Sequence, residues 1–216
     1  MSRRSKPEDI ARYFDENIDC CAPRRDPKKR PGVKLARLLE QQLRAAGLQG
    51  RTVLELGCGR GELSTELVGA GAARATGIDL SPDNIEVARR ISSEDGLSDR
   101  MEFRVDNAAT AQLGRHDIVV HHRVICCYPD PMGLLDNSIG VAGSVYGFSM
   151  PRSSGVVGLL VRVGLSFENL LHRVKRRGFR AYVHDERFVD ETLRAAGFRL
   201  QGRSNRMGWF AAVYAK

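Results

Sequence analysis

The sequence predicts an α/β fold, a mostly parallel sheet of about seven strands with helices on both faces and an antiparallel hairpin at its carboxyl end. Three observations predict it. Short, continuously apolar runs alternate with helical segments through the middle of the chain, the pattern of strands buried on both faces of a parallel sheet. A glycine-rich turn follows the first of these runs and opens a helix. The last two strand-like runs have too few residues between them for a crossover, so they pair antiparallel.

Taken in order, residues 1–31 are polar and broken by Pro23, Pro27 and Pro31, with one short helix expected at 10–17. They form a candidate amino-terminal cap, and residues 32–216 form the main domain. Val33, Leu35, Ala36, Leu38, Leu39 and Leu43 recur at helical spacing, and Gly47 ends that helix. Strands are expected at 52–56, 75–79, 101–105, 117–121 and 144–149. The helices between them fall at about 62–70, 82–94 and 131–140. Ser81-Pro82-Asp83 starts one of these with an N-cap hydroxyl and a proline in the first turn. Residues 155–177 are a long amphipathic insertion without a strand before it. A helix at 186–196 stops at Gly197, and the final strands are expected at 198–204 and 208–214.

With 42% apolar and 28% charged residues, the 216-residue chain has the composition of a globular domain. No apolar run is read as long enough to span a bilayer, and the basic start is not followed by the apolar segment of a secretory signal, so a cytoplasmic location is expected. The five cysteines, Cys20, Cys21, Cys58, Cys126 and Cys127, contain no C-x-x-C pair and fit reduced thiols better than a disulfide framework. The net charge of +8 is concentrated at the two ends of the chain. Basic ends around a near-neutral middle are compatible with an anionic substrate, a nucleic acid or a membrane surface.

Gly57, Gly59 and Gly61 end the first strand, where glycine lets backbone approach a ligand closely. Their spacing is G-x-G-x-G rather than the G-x-G-x-x-G of dinucleotide sites, and Glu62 follows, which would repel a pyrophosphate. A Walker lysine is missing. A nucleoside without phosphate, such as S-adenosylmethionine (SAM), meets no such repulsion. Asp79 ends the second strand, where an acid can accept both ribose hydroxyls, and Leu80 beside it can pack on adenine. Asp106-Asn107 ends the third, where a carboxylate can accept from the adenine amino group.

Three of these stretches, Glu55-Leu56-Gly57-Cys58-Gly59-Arg60-Gly61, Gly77-Ile78-Asp79-Leu80-Ser81 and Val105-Asp106-Asn107-Ala108, resemble the motifs of class I SAM-dependent methyltransferases. The resemblance covers about residues 35–150. It implies the Rossmann-like, seven-stranded sheet of that family. It also implies that Gly57, Cys58 and Gly59 cradle the methionine part of SAM, that Asp79 holds the ribose, that Asp106 reads adenine, and that Glu55 organises the loop. His121 and His122, after strand four, are then expected beside the methionine and the transferred methyl. A second, looser set comprises Tyr13-Phe14-Asp15, the run from His122 to Asp130, Met150-Pro151-Arg152, His184 and Ala196-Gly197-Phe198. It looks like small-molecule methyltransferases such as the magnesium-protoporphyrin O-methyltransferase group, which carry an amino-terminal helix over the SAM site, here around Tyr13, and a helical insertion after strand five.

Methyl transfer is an in-line displacement that needs alignment, exclusion of water and, for some acceptors, a base. His122 is the first candidate base, with Tyr128 and His184 also in reach of the expected crevice. Adjacent Cys126 and Cys127 cannot easily share one tetrahedral ion, so no metal is expected. The insertion at 155–178 is apolar in its first half and basic at its end. It is expected to cap the site, with Arg162, Arg173, Arg176 and Arg180 available to an anionic group, and a membrane-surface role is its rival. The acceptor is therefore read as a small, fairly apolar molecule that can carry an acidic group. Chemistry on SAM itself without methyl transfer, and methylation of nucleic acid, stay open as alternatives. The nucleic-acid reading lacks the Asn/Asp-Pro-Pro-aromatic tetrad of base amino-group methylases at strand four.

Overall fold

The computed structural model describes residues 4–16 and 32–216. The boundary between cap and main domain, together with Asn17, Cys20, Cys21, Pro23, Pro27 and Pro31, lies outside them. Two helices come first, α1 (Pro7–Asp15) and α2 (Val33–Ala45). An alternating series follows: β1 (Thr52–Leu56), α3 (Glu62–Gly69), β2 (Arg74–Asp79), α4 (Pro82–Glu94), β3 (Met101–Val105) and β4 (His116–His122). A single 3-10 turn at Ile125–Cys127 leads to α5 (Met132–Ile139), β5 (Ala142–Pro151), α6 (Gly155–Val174), α7 (Glu186–Ala195), β6 (Arg199–Arg206) and β7 (Trp209–Ala215).

The strands form one sheet in the order β3-β2-β1-β4-β5-β7-β6. Its first five members run parallel, while β7 pairs antiparallel with both β5 and β6. The hairpin expected at one side is present, with its second strand inside and its first at the edge. Strand order reverses between β1 and β4, and a crevice opens beyond the carboxyl ends of strands at such a point. β5 runs longer than its apolar core suggests because it is paired on both sides, with Ser149 opposite His122 and Pro151 opposite Trp209.

Period-two alternation splits the core into two layers. Leu54, Leu56, Val119 and Tyr146 pack with α5 and α7, whereas Val53, Ile118, Val120 and Val213 pack with α2 and α3. Local signals fix the turns around the crevice. Gly57 holds φ of 72°, and a Cβ there would collide with the Val124 side chain, so only glycine lets β1 turn beneath the loop after β4. Ser81 caps α4 by accepting from the Asn84 N–H at 3.0 Å, and its hydroxyl donates to Asp15 of α1. That second bond ties the amino-terminal helix over the crevice.

The insertion departs from expectation. α6 is a 20-residue helix of which only Gly158 and His172 are buried. It is long and apolar enough to cross a bilayer, contrary to the reading that no segment of the chain is.

Candidate active site

A cavity of about 470 Å³ opens at the switch point between β1 and β4. Its first half is built on the ends of β1, β2 and β3. Asp79 leaves β2 with a half-buried carboxylate that accepts the Gly59 N–H at 2.8 Å and the Ser81 N–H at 2.9 Å, one on each oxygen. Each oxygen retains a lone pair for a hydroxyl donor. Glu55 is buried in β1 and accepts both the N–H (2.9 Å) and the hydroxyl (2.5 Å) of Ser64 on one oxygen. Burial, opposed by those bonds and reinforced by the charges of Asp79 and Glu62, pushes its carboxyl up to about 8. Burial raises Asp79 as well. The Cys58 thiol is pushed up by burial and by both acids, so it lines the cavity as a neutral wall.

The chemistry of this donor set tests the expected cofactor. Two carboxylates, each held above its ordinary range by desolvation, gain from a ligand that brings positive charge and hydroxyl donors, and their ionised forms repel phosphate. SAM meets both conditions. Asp106 lines the same cavity, accepting the Asn107 N–H at 2.8 Å on one oxygen and facing Arg104 at 3.6 Å with the other. Leu80 lies between the two acidic strand ends and also lines it.

The second half gathers segments far apart in sequence. His122 projects into the cavity, with Nδ1 2.9 Å from the Ser149 hydroxyl. Tyr13 of α1 stacks on Phe179 at 4.3 Å, and both rings line the chamber. The Cys126 and Cys127 thiols both donate to the Arg123 carbonyl, at 3.5 and 3.6 Å. Among the described residues no group of three or more His, Cys, Asp or Glu is placed to hold a metal.

Five expectations need correction. His121 does not reach the cavity. Alternation along β4 turns it onto the opposite face from His122, where it is fully buried with Nε2 2.8 Å from the Tyr146 hydroxyl. Burial pushes its ring down to about 3, so it stays neutral. Asn107 stands behind the wall, its side-chain oxygen accepting from the Tyr128 hydroxyl at 3.1 Å and the Ala109 N–H at 3.1 Å. Tyr128 does line the cavity, but burial pushes its phenol well up. It stays neutral and donates to Asn107, which suits a wall better than a base. His184 lies outside the cavity with Nε2 2.9 Å from the Tyr128 carbonyl, so it supports Tyr128 from behind. The fifth concerns the insertion. Leu165 and Glu168 of α6 line the cavity, whereas Arg162, Arg173, Arg176 and Arg180 do not.

Besides Arg60, the cavity is lined by Arg123, to which sequence reasoning assigned no role. Its φ of 63° places a non-glycine residue in the left-handed region, a cost of roughly 1–3 kcal/mol typical of functional positions. The turn sends Val124 under Gly57 and lays the guanidinium 5.1 Å from the Trp209 ring centroid. Among the described residues no carboxylate forms a salt bridge with it. Nothing in the sequence signals the pairing of Arg123 with Trp209, since it depends on β7 lying next to β5.

A family model described as a methyltransferase domain matches residues 48–187. The ubiquinone biosynthesis O-methyltransferase of Bordetella avium (strain 197N) is 32% identical over 163 residues, covering 73% of this chain and 64% of the relative. The ribosomal protein L11 methyltransferase of Enterobacter sp. (strain 638) is 40% identical over 80 residues, covering 37% of this chain and 27% of the relative. This chain thus spans less than two thirds of either curated relative. Among solved structures, the magnesium protoporphyrin IX methyltransferase of Synechocystis PCC 6803 with bound SAH superposes with a TM-score of 0.70 at 20% identity, over 97% of this chain and 98% of that one. The geranyl diphosphate C-methyltransferase of Streptomyces coelicolor A3(2) gives 0.68 at 14% identity, over 97% and 96%. At these identities the structural likeness speaks to the fold.

Proposed function

Since this chain belongs to the methyltransferase domain family, we propose that it transfers the methyl group of SAM to a small, largely apolar acceptor that carries an acidic group. One observation carries the reading: a single cavity joins a cradle of carboxylates to an apolar chamber lined by the Arg123 guanidinium. SAM supplies an electrophilic methyl on a sulfonium. In this reading Asp79 accepts from the ribose hydroxyls, Asp106 from the adenine amino group, and Glu55 faces the positive end of the cofactor. Arg123 pairs with the acidic group of the acceptor and sets its distance from the methyl. His122, steadied by Ser149, takes the proton from an acceptor hydroxyl. Tyr13, Phe179 and the buried thiols keep water out, which strengthens each of these electrostatic contacts.

The test is incubation with methyl-labelled SAM and a panel of apolar carboxylic acids and phenols, followed by mass identification of the products. A labelled acceptor heavier by one methyl supports the reading, with acids favoured over their methyl esters. Cleaved or rearranged SAM without a methylated acceptor overturns it.

A further inference from the structure

The outward face of α6 has no role in the cavity, and its composition is the reverse of a surface helix. Val156, Leu159, Leu160, Val163, Phe167, Leu170, Leu171 and Val174 are all exposed, Leu160 at 66%, Phe167 at 63% and Val174 at 71%. At about 100° per residue these eight side chains fall in one stripe about 120° wide that runs the length of the helix, roughly 30 Å. The opposite face is tied to the body. Asn169 exchanges two hydrogen bonds with the Ala181 backbone at 2.8 and 2.9 Å, His172 Nδ1 lies 3.3 Å from the Phe179 carbonyl, and Leu165 and Glu168 line the cavity. A helix held along one side in this way cannot cross a bilayer, but it can lie in one.

Charge chooses the occupant. Arg162 flanks the stripe, and Arg173, Lys175 and Arg176 stand exposed at the carboxyl end of the helix. Glu168 is the acid of α6, and it lies on the cavity side. A second copy packed antiparallel would bring this basic end over the Arg152 end of its neighbour, and a parallel copy would bring it over itself. Neither places a carboxylate opposite. An apolar stripe edged with arginine and lysine instead matches an anionic bilayer surface, with the apolar side chains below the headgroups and the cations among them.

We infer that α6 docks this protein on an anionic lipid surface, lying in its plane, with the chamber behind Leu165 and Glu168 held against the membrane. Docking does not depend on which acceptor is methylated, or on whether methyl is transferred at all.

The experiment is co-sedimentation of the full chain with phosphatidylcholine vesicles, with and without phosphatidylglycerol, at low and high salt. Binding to the anionic vesicles is expected to exceed binding to neutral ones by ~tenfold or more and to fall with salt. The double substitution Leu160→Ser, Phe167→Ser is expected to cut it by a similar factor, leaving the circular dichroism spectrum and calorimetric SAM binding unchanged, since both side chains are exposed and outside the cavity. Arg173→Glu with Arg176→Glu is expected to remove the preference for phosphatidylglycerol. Equal binding to both vesicles, or no binding to either, overturns the inference. If sedimentation equilibrium then shows a dimer that Phe167→Ser dissociates, the stripe is an interface between two copies.

Discussion

The two halves of the cavity are made differently. The cofactor half is drawn from three consecutive strand ends, and its acids are locked to backbone N–H groups within a few residues or across one neighbouring strand, as Asp79 is to Gly59 and Ser81. The half proposed for the acceptor draws on α1, α2, the loop after β4, the end of β5, α6, the segment around Phe179 and the start of β7. A site made of local turns is stiff and carries its chemistry in short motifs. A site assembled from distant segments can carry specificity, and its parts can change one at a time.

If the halves are separable in this way, substitutions should sort by half. The largest effect is expected from Asp79→Ala, which removes a half-buried acceptor. SAM affinity should fall ~50-fold or more by calorimetry, with the secondary structure retained. Arg123→Met should raise the KM of an acidic acceptor by ~tenfold or more while changing SAM affinity less than ~twofold. A loss of SAM affinity instead would place Arg123 in the cofactor half and break the division.

The third effect is a pH dependence from Glu55. Burial holds its carboxyl up at about 8, above its ordinary 4.5, so the free protein keeps it largely protonated at neutral pH. A cationic ligand favours the ionised form, so binding releases a proton, and affinity should rise ~fivefold between about pH 7 and about pH 8.5. Titration in buffers of different ionisation enthalpy reads the proton directly, and Glu55→Gln should flatten the profile. The same shift makes the ligand-free fold lose stability as pH climbs from 4.5 through about 8, because only the folded state resists ionisation. The smallest effect is expected from Asn107→Ala, which releases the Tyr128 hydroxyl. Thermal denaturation should register about 1 kcal/mol, and kcat/KM a loss of severalfold.

This contrast also decides what the sequence could tell. Strand and helix spans followed apolar runs, Ser81 and the glycines marked their turns, and Glu55, Asp79 and Asp106 stood at positions that need only local geometry. His121 and His122 were both expected beside the methyl, but adjacent strand residues face opposite ways, and only the phase of β4 shows which one reaches the cavity. A role for Arg123 was not legible for a related reason, since its contact with Trp209 depends on the pairing of β5 with β7. The apolar half of α6 suggested a lid over the site. The fold instead spends its small and polar positions, Gly158, Asn169 and His172, on the body and turns the apolar stripe outward. Periodicity identifies a stripe but not the side that faces the protein.

Glu55 and Asp79 together are proposed to make a site for a cationic nucleoside without phosphate. Calorimetric titration of the full chain with SAM, beside ATP and NAD, tests it most directly. Saturable one-to-one binding of SAM accompanied by proton release, and no heat from the two phosphate-bearing nucleotides, is the predicted result. Absence of SAM binding, or tighter binding of either nucleotide, would contradict it.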